Sequence, residues 1–132
     1  MKCSRIIFYI SILVGYGSSE ENRTYTLCNE IMAYGKRLAT FLHDLPPNQG
    51  DDFVRDIRVY NAKMREFREI VKKDEENMQQ ELTYLLNDGY PKYVGVEVPD
   101  EKLKESLNWS DRDVERLKAL KRASYLEYGE LV

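Results

Sequence analysis

The chain of 132 residues contains one histidine, one tryptophan and two cysteines, and each scarcity closes off a class of protein. With His43 as the single imidazole, no cluster of His and Cys ligands at metal-binding spacing can form. Cys28 and His43 sit about 22 Å apart by helical rise if one helix carries both, too far for a Cys–His nucleophile pair. No glycine-rich phosphate loop and no His-Glu helix motif occurs. The sequence therefore reads as a non-enzyme with no cofactor, no metal and no catalytic residue. His43 lies near a helix C-terminus, where it faces the negative end of the dipole.

A long apolar run is also missing. Ile6 to Val14 is about nine residues, against the roughly 20 needed to span a bilayer. That run follows the basic start Met1-Lys2-Cys3-Ser4-Arg5 and precedes Gly15-Tyr16-Gly17-Ser18-Ser19, the small residues that a signal peptidase accepts. The expectation is a cleaved secretory signal over 1–19, cut after Gly17 or Ser19, then a single α-helical domain over 20–132. The protein is then secreted and extracellular, with no transmembrane span in the mature chain.

An excess of basic charge is absent too. The net charge is −3, and losing Lys2 and Arg5 with the signal takes it to about −5. A mildly acidic chain without a basic block argues against nucleic acid as a partner. Charged residues make up 33% of the chain with both signs interspersed, which reads as a soluble surface and not as an acidic disordered tail.

Removing Cys3 with the signal leaves Cys28 alone, so no internal disulfide can form. Cys28 is a candidate for an intermolecular disulfide; the alternatives are a free thiol or a thiol buried as a small apolar group. Two glycosylation sequons appear, Asn22-Arg23-Thr24 and Asn108-Trp109-Ser110. Asn22, in a polar lead-in, is the candidate N-glycosylation site. Asn108 is less suited, because Ser110 is wanted as a helix cap and Trp109 in the core.

What is present is helical periodicity. Leu27, Ile31, Tyr34, Leu38, Phe41 and Leu45 recur at alternating gaps of four and three, one stripe of an amphipathic helix. Thr24 or Thr26 offers a cap, and Pro46-Pro47 a stop. Asp51-Asp52 opens a second helix with the stripe Phe53, Ile57, Tyr60, Met64, Phe67 and Val71. Asp74 breaks that register, and Met78, Leu82 and Leu85 resume it after a shift. The polar run Lys73-Asp74-Glu75-Glu76 reads as a solvated stretch of one helix from Asp52 to Asn87; a bend there is the alternative. That run could bind a divalent cation weakly, but it lacks the ligand pattern of a calcium loop. Asn87-Asp88-Gly89 reads as a stop with Gly89 in a left-handed turn.

Tyr90 to Pro99 reads as an extended crossover, with weak β-alternation over 93–98. Pro99-Asp100 starts a short helix to Leu107. Ser110-Asp111-Arg112-Asp113 then resembles a capping box, with Trp109 placed to staple onto Val114. Val114, Leu117, Leu120, Ser124, Tyr128 and Leu131 form the inner face of the last helix. The predicted fold is all-α: a small helical bundle on a long antiparallel helical hairpin plus a C-terminal helix, with an extended crossover near 90–99. A coiled hairpin that dimerises would also bury these stripes.

One charge pattern is pointed. Arg55, Arg58, Arg65, Arg68 and Lys72 share one flank of the second helix, with Asp52, Asp56 and Glu66 on the other. This basic ridge is a candidate face for an anionic partner or ligand, or it pairs with acidic residues of neighbouring helices. Eight tyrosines beyond the signal supply side chains suited to interfaces or core edges.

The stretch Val59-Tyr60-Asn61-Ala62-Lys63-Met64-Arg65-Glu66-Phe67, followed by Lys72-Lys73, resembles the central helix of the SXP-type secreted antigens of nematodes, which are small helical exported proteins. The likeness covers about 15 residues and carries no functional residue with it. The leading expectation is a secreted helical protein-interaction module that finds a protein partner or self-associates as a homodimer. The alternative is a secreted carrier of a fatty acid or similar apolar ligand, with Met64 and Met78 lining its cavity and the basic ridge taking a carboxylate.

Overall fold

A computed structural model describes the backbone of residues 16–132 and the side chains from Arg23 onward. Most of the expected signal and the side chain of Asn22 lie outside the described residues. The described chain is all-helical, with five packed α-helices and no strand: α1 (Tyr16–Asp44), α2 (Gly50–Lys73), α3 (Gln79–Asp88), α4 (Asp100–Leu107) and α5 (Asp111–Gly129).

The apolar stripes become the core. Leu27, Ile31, Leu38 and Leu45 of the first stripe are buried, and so is every member of the α2 stripe from Phe53 to Val71. Cys28 and Leu42, one position off the α1 stripe, are buried as well. Burying a side chain of this size contributes about 1.5–3 kcal/mol, so these rows hold the helices together. Thr24 does not cap α1. It is buried inside a helix that already runs from Tyr16, so its position in the core outweighs its capping preference.

Pro46 stops α1 as read. Leu45 takes a positive φ of 47°, and its N–H still donates to Phe41 O at 2.7 Å. Asn48 repeats the left-handed backbone at φ 61°, and α2 starts at Gly50. Away from this turn the contacts between the two helices step outward in order. Phe41 stacks on Phe53 at 4.2 Å, Arg37 pairs with Asp56 at 2.9 Å, and Glu30 pairs with Lys63 at 3.1 Å.

The second helix is not continuous to Asn87. It ends at Lys73, a 3-10 turn occupies Glu75–Met78, and α3 follows. Asp74 leaves helical geometry at φ −153° and ψ 62°. Its carboxylate accepts both 3.0 and 3.1 Å bonds from the Asn77 side-chain amide, which stabilises the turn locally. The physical reason lies in register: a straight continuation would bring Asp74 into the core, whereas the break turns Leu85 into it. Gly89 is likewise not left-handed, with φ −97°. A Cβ there would collide with the Leu85 carbonyl, so close approach explains the glycine.

The crossover is tighter than an extended segment. Residues Lys92–Gly95 form a 3-10 turn, and only at Val96 does the backbone extend. The turn inserts Tyr93 into the core, edge-on to both Phe53 (6.4 Å) and Tyr60 (6.2 Å). The Tyr93 hydroxyl meets Ser124 Oγ at 2.6 Å, and Ser124 donates onward to Asn61 Oδ1 at 2.5 Å. A buried polar chain thus joins the crossover, α5 and α2. The α5 cap is the expected capping box: Asp113 N–H donates to Ser110 Oγ at 3.3 Å, and Ser110 N–H donates to Asp113 Oδ2 at 2.9 Å. Trp109 and Val114 are both buried in the core, and Trp109 lies over Gly50 and Phe53.

Candidate functional site

The basic ridge of α2 faces α5, and the tertiary structure divides it. Arg65 and Arg68, one turn apart on α2, both reach Glu127 of α5. Arg65 Nε donates to Glu127 Oε2 at 3.0 Å, and Arg68 donates to Oε1. The Arg68 and Glu127 side chains are only 16% and 14% exposed, so this pair serves helix packing and is withdrawn from any external anion. Arg68 Nε is buried without a partner, which makes the arrangement depend on Glu127. Arg55 pairs with Asp52 at 2.7 Å on the exposed surface, where such a pair contributes about 0–1 kcal/mol. Lys72 is exposed in the last turn of α2, where its charge faces the helix dipole. Across the other flank, Asp56 is taken by Arg37 of α1.

Arg58 is different. It lines an open cleft of roughly 770 Å³ together with Arg112, Asp113, Glu115 and Arg116 of α5. The carboxylates of this cleft are already engaged. Asp113 accepts from the Ser110 backbone N–H and from Arg116 at 2.6 Å. Those contacts, the backbone N–H first, hold its carboxyl below the usual range. Glu115 accepts from Lys118 at 3.1 Å. Among the described residues Arg58 and Arg112 make no ion pair, so two guanidinium groups from two helices are left uncompensated beside one cleft. Arg112 and Arg116 were not singled out by the sequence. Their one signal is their i, i+4 spacing on the α5 surface, which without the packing has no relation to Arg58.

The remaining candidates lie apart. Cys28 is fully buried and unpaired, and burial first, with the Glu81 carboxylate second, pushes its thiol up to about 12. Its Sγ–H donates to the Glu81 backbone carbonyl at 3.9 Å. Glu81 is buried beside it, and its Oε1 has no hydrogen-bond partner. His43 is exposed in the last turn of α1. Asn108 is exposed as the left-handed cap of α4. Among the described residues no group of His, Cys, Asp and Glu is placed to hold a metal ion.

Other polar groups have structural duties. Burial pushes the Tyr93 hydroxyl up to about 12, partly opposed by its bond to Ser124. Lys121 donates to Val96 O at 2.9 Å, and its burial lowers its affinity for the proton. No described helix is long and apolar enough to cross a membrane. No family model matches the chain, and neither the curated proteins nor the solved structures hold a match to it.

Proposed function

We propose that this chain is a secreted helical interaction module that engages an acidic protein partner through the cleft between α2 and α5. The observation that carries the reading is the pair Arg58 and Arg112, uncompensated while the neighbouring carboxylates are held by Ser110, Arg116 and Lys118. Planar guanidinium groups suit bidentate recognition of carboxylates. Against a net charge of −3 such a local positive site also orients an approaching acidic surface. The scaffold for this reading is a long antiparallel hairpin of α1 and α2, with α5 laid along it. The ordered pairs from Phe41–Phe53 to Glu30–Lys63 support that hairpin.

The carrier reading draws no comparable support. Met64 is fully buried against neighbouring core side chains, Met78 packs on the same core, and the cleft is lined by charged residues. The test is a titration with a labelled Glu/Asp-rich peptide, read by fluorescence anisotropy at several salt concentrations. Salt-sensitive binding that weakens at least tenfold in the R58E/R112E variant is expected. Equal binding by wild type and variant would overturn the reading. Native mass spectrometry of the secreted protein adds a second check, since a removable lipid adduct would favour the carrier instead.

A further inference from the structure

The α5 helix carries a second surface that the cleft does not use. Its inner face is buried through Val114, Leu117 and Ser124, yet Leu126 is 58% exposed and Tyr125 is 55% exposed. Leu126 sits on the outward ridge with Arg122 and Glu130, four residues to either side. All three are exposed, and among the described residues neither Arg122 nor Glu130 makes an ion pair. Glu130 keeps helical backbone, with its N–H donating to Leu126 O at 3.1 Å. The ridge therefore spans about 12 Å of helix, with an apolar centre, a positive end and a negative end.

We infer that this ridge is an interface between two copies of this chain, the α5 helices crossing antiparallel about a two-fold axis near Leu126. The pattern is complementary to itself. A two-fold axis brings the same patch to both sides, so Arg122 of one copy meets Glu130 of the other, twice. Leu126 then packs on its own counterpart, flanked by Tyr125. Gly129 meets nothing within 4 Å of where a Cβ would stand, so the backbones are free to approach there. A parallel arrangement would instead set like charges opposite one another. Stable interfaces bury about 1,200–2,000 Å² in all, and a ridge this short buries less, so the dimer is weak and concentration-dependent. The inference rests on the interaction-module reading only in treating the chain as a binding protein. Its surface lies about 21 Å along α5 from Arg112 by helical rise.

The ridge holds no cysteine and Cys28 is buried, so association through it requires no disulfide. The test is sedimentation equilibrium of the purified protein over a wide concentration range, with and without reductant. The expected result is a mass rising from monomer towards dimer, unchanged by reductant. R122E and E130R should each associate at least tenfold more weakly, because each sets like charges across the axis. The R122E/E130R double variant should recover association, and an equimolar mixture of the two single variants should form a mixed dimer. Wild type that stays monomeric, single variants that associate like wild type, or a double variant that does not recover would each overturn the inference. So would a dimer that dissociates on reduction, which would point to Cys28. These surface exchanges leave the core untouched, and circular dichroism verifies that. Peptide titration of the same variants separates the two readings: dimerisation without peptide binding removes only the cleft, and peptide binding without dimerisation removes only this interface.

Discussion

The hydroxyl oxygens of Tyr93 and Ser124 stand 2.6 Å apart in the core, at the meeting of the crossover turn with α5. Ser124 gives its proton to Asn61 Oδ1, so it must accept from Tyr93. Ser124 is thus the middle link. Ser124→Ala leaves the buried Asn61 Oδ1 without its donor, while Tyr93 keeps its bond to Leu120 O at 3.3 Å, and is expected to cost about 1–3 kcal/mol. Tyr93→Phe leaves the Ser124–Asn61 bond intact and should cost less. Urea denaturation of both variants checks the order, and a smaller loss for Ser124→Ala would contradict the proton assignment.

Gly50 opens α2 directly beneath the indole of Trp109. A Cβ at this position would overlap Trp109 Nε1 and approach Cε2 to 2.8 Å. Gly50→Ala is therefore expected to destabilise by about 1–3 kcal/mol through overpacking, despite the better helix propensity of alanine. Gly95→Ala meets open space and serves as the comparison. Thermal melts of the two should separate clearly, with Trp109 fluorescence changed only in Gly50→Ala.

Arg65 and Arg68 share Glu127 but differ in burial, with side chains 54% and 16% exposed. Solvent screens the outer arginine, so Arg65→Ala should cost no more than about 1 kcal/mol. Arg68→Ala removes the inner charge from a partly buried carboxylate and should cost about 1.5–3 kcal/mol. Equal losses in chemical denaturation would show that Glu127 is better solvated than its surroundings indicate.

Glu81 buries a carboxylate with one oxygen unpartnered beside the Cys28 thiol. Such a group costs desolvation without a compensating bond. Glu81→Met keeps the aliphatic stem and removes the cost, so a gain on the order of 1 kcal/mol is expected at neutral pH. A loss would mean that the carboxylate holds a contact important to the docking of α3 on α1.

Burial raises the Cys28 thiol from 9.0 to about 12, so the fold favours its protonated form. Below pH 9 both folded and unfolded states keep that proton, and the contribution is fully present. Between 9 and 12 the unfolded state releases the proton first, so stability falls as pH rises. Cys28→Ala should flatten that alkaline loss, although Tyr93, also raised to about 12, contributes in the same direction. Thiolate absorbance should appear only near pH 12 or on unfolding. An ordinary thiol titration in the folded protein would contradict the burial of Cys28.

Several features that depend on a few neighbouring residues were legible in the sequence, although the Thr24 cap and the left-handed Gly89 were not borne out. The Pro46 stop follows from one missing N–H, and the Ser110–Asp113 box from residues three apart. The stripe on α2 needed only the spacing of Phe53 to Val71. The break at Asp74 was only half visible. The register shift showed in the spacing, but a solvated helix and a turn expose the same charged residues. The basic ridge was found as a ridge, yet nothing in its own helix distinguishes Arg68, held by Glu127, from Arg58, left beside the cleft.

The sequence alone determined the helical character, most of the element boundaries and the buried stripes, because hydrogen bonding within a helix and the 3.6-residue period are local. The tertiary structure decided which charges are neutralised, where Tyr93 inserts and why Asn61 and Ser124 are buried. Those outcomes depend on groups 19 to 63 residues apart in sequence that meet only when α1, α2, α5 and the crossover pack together. Desolvation and pairing are properties of that meeting. They cannot be read from any one helix, and the free arginines of the cleft and the exposed ridge of α5 are what remains after it.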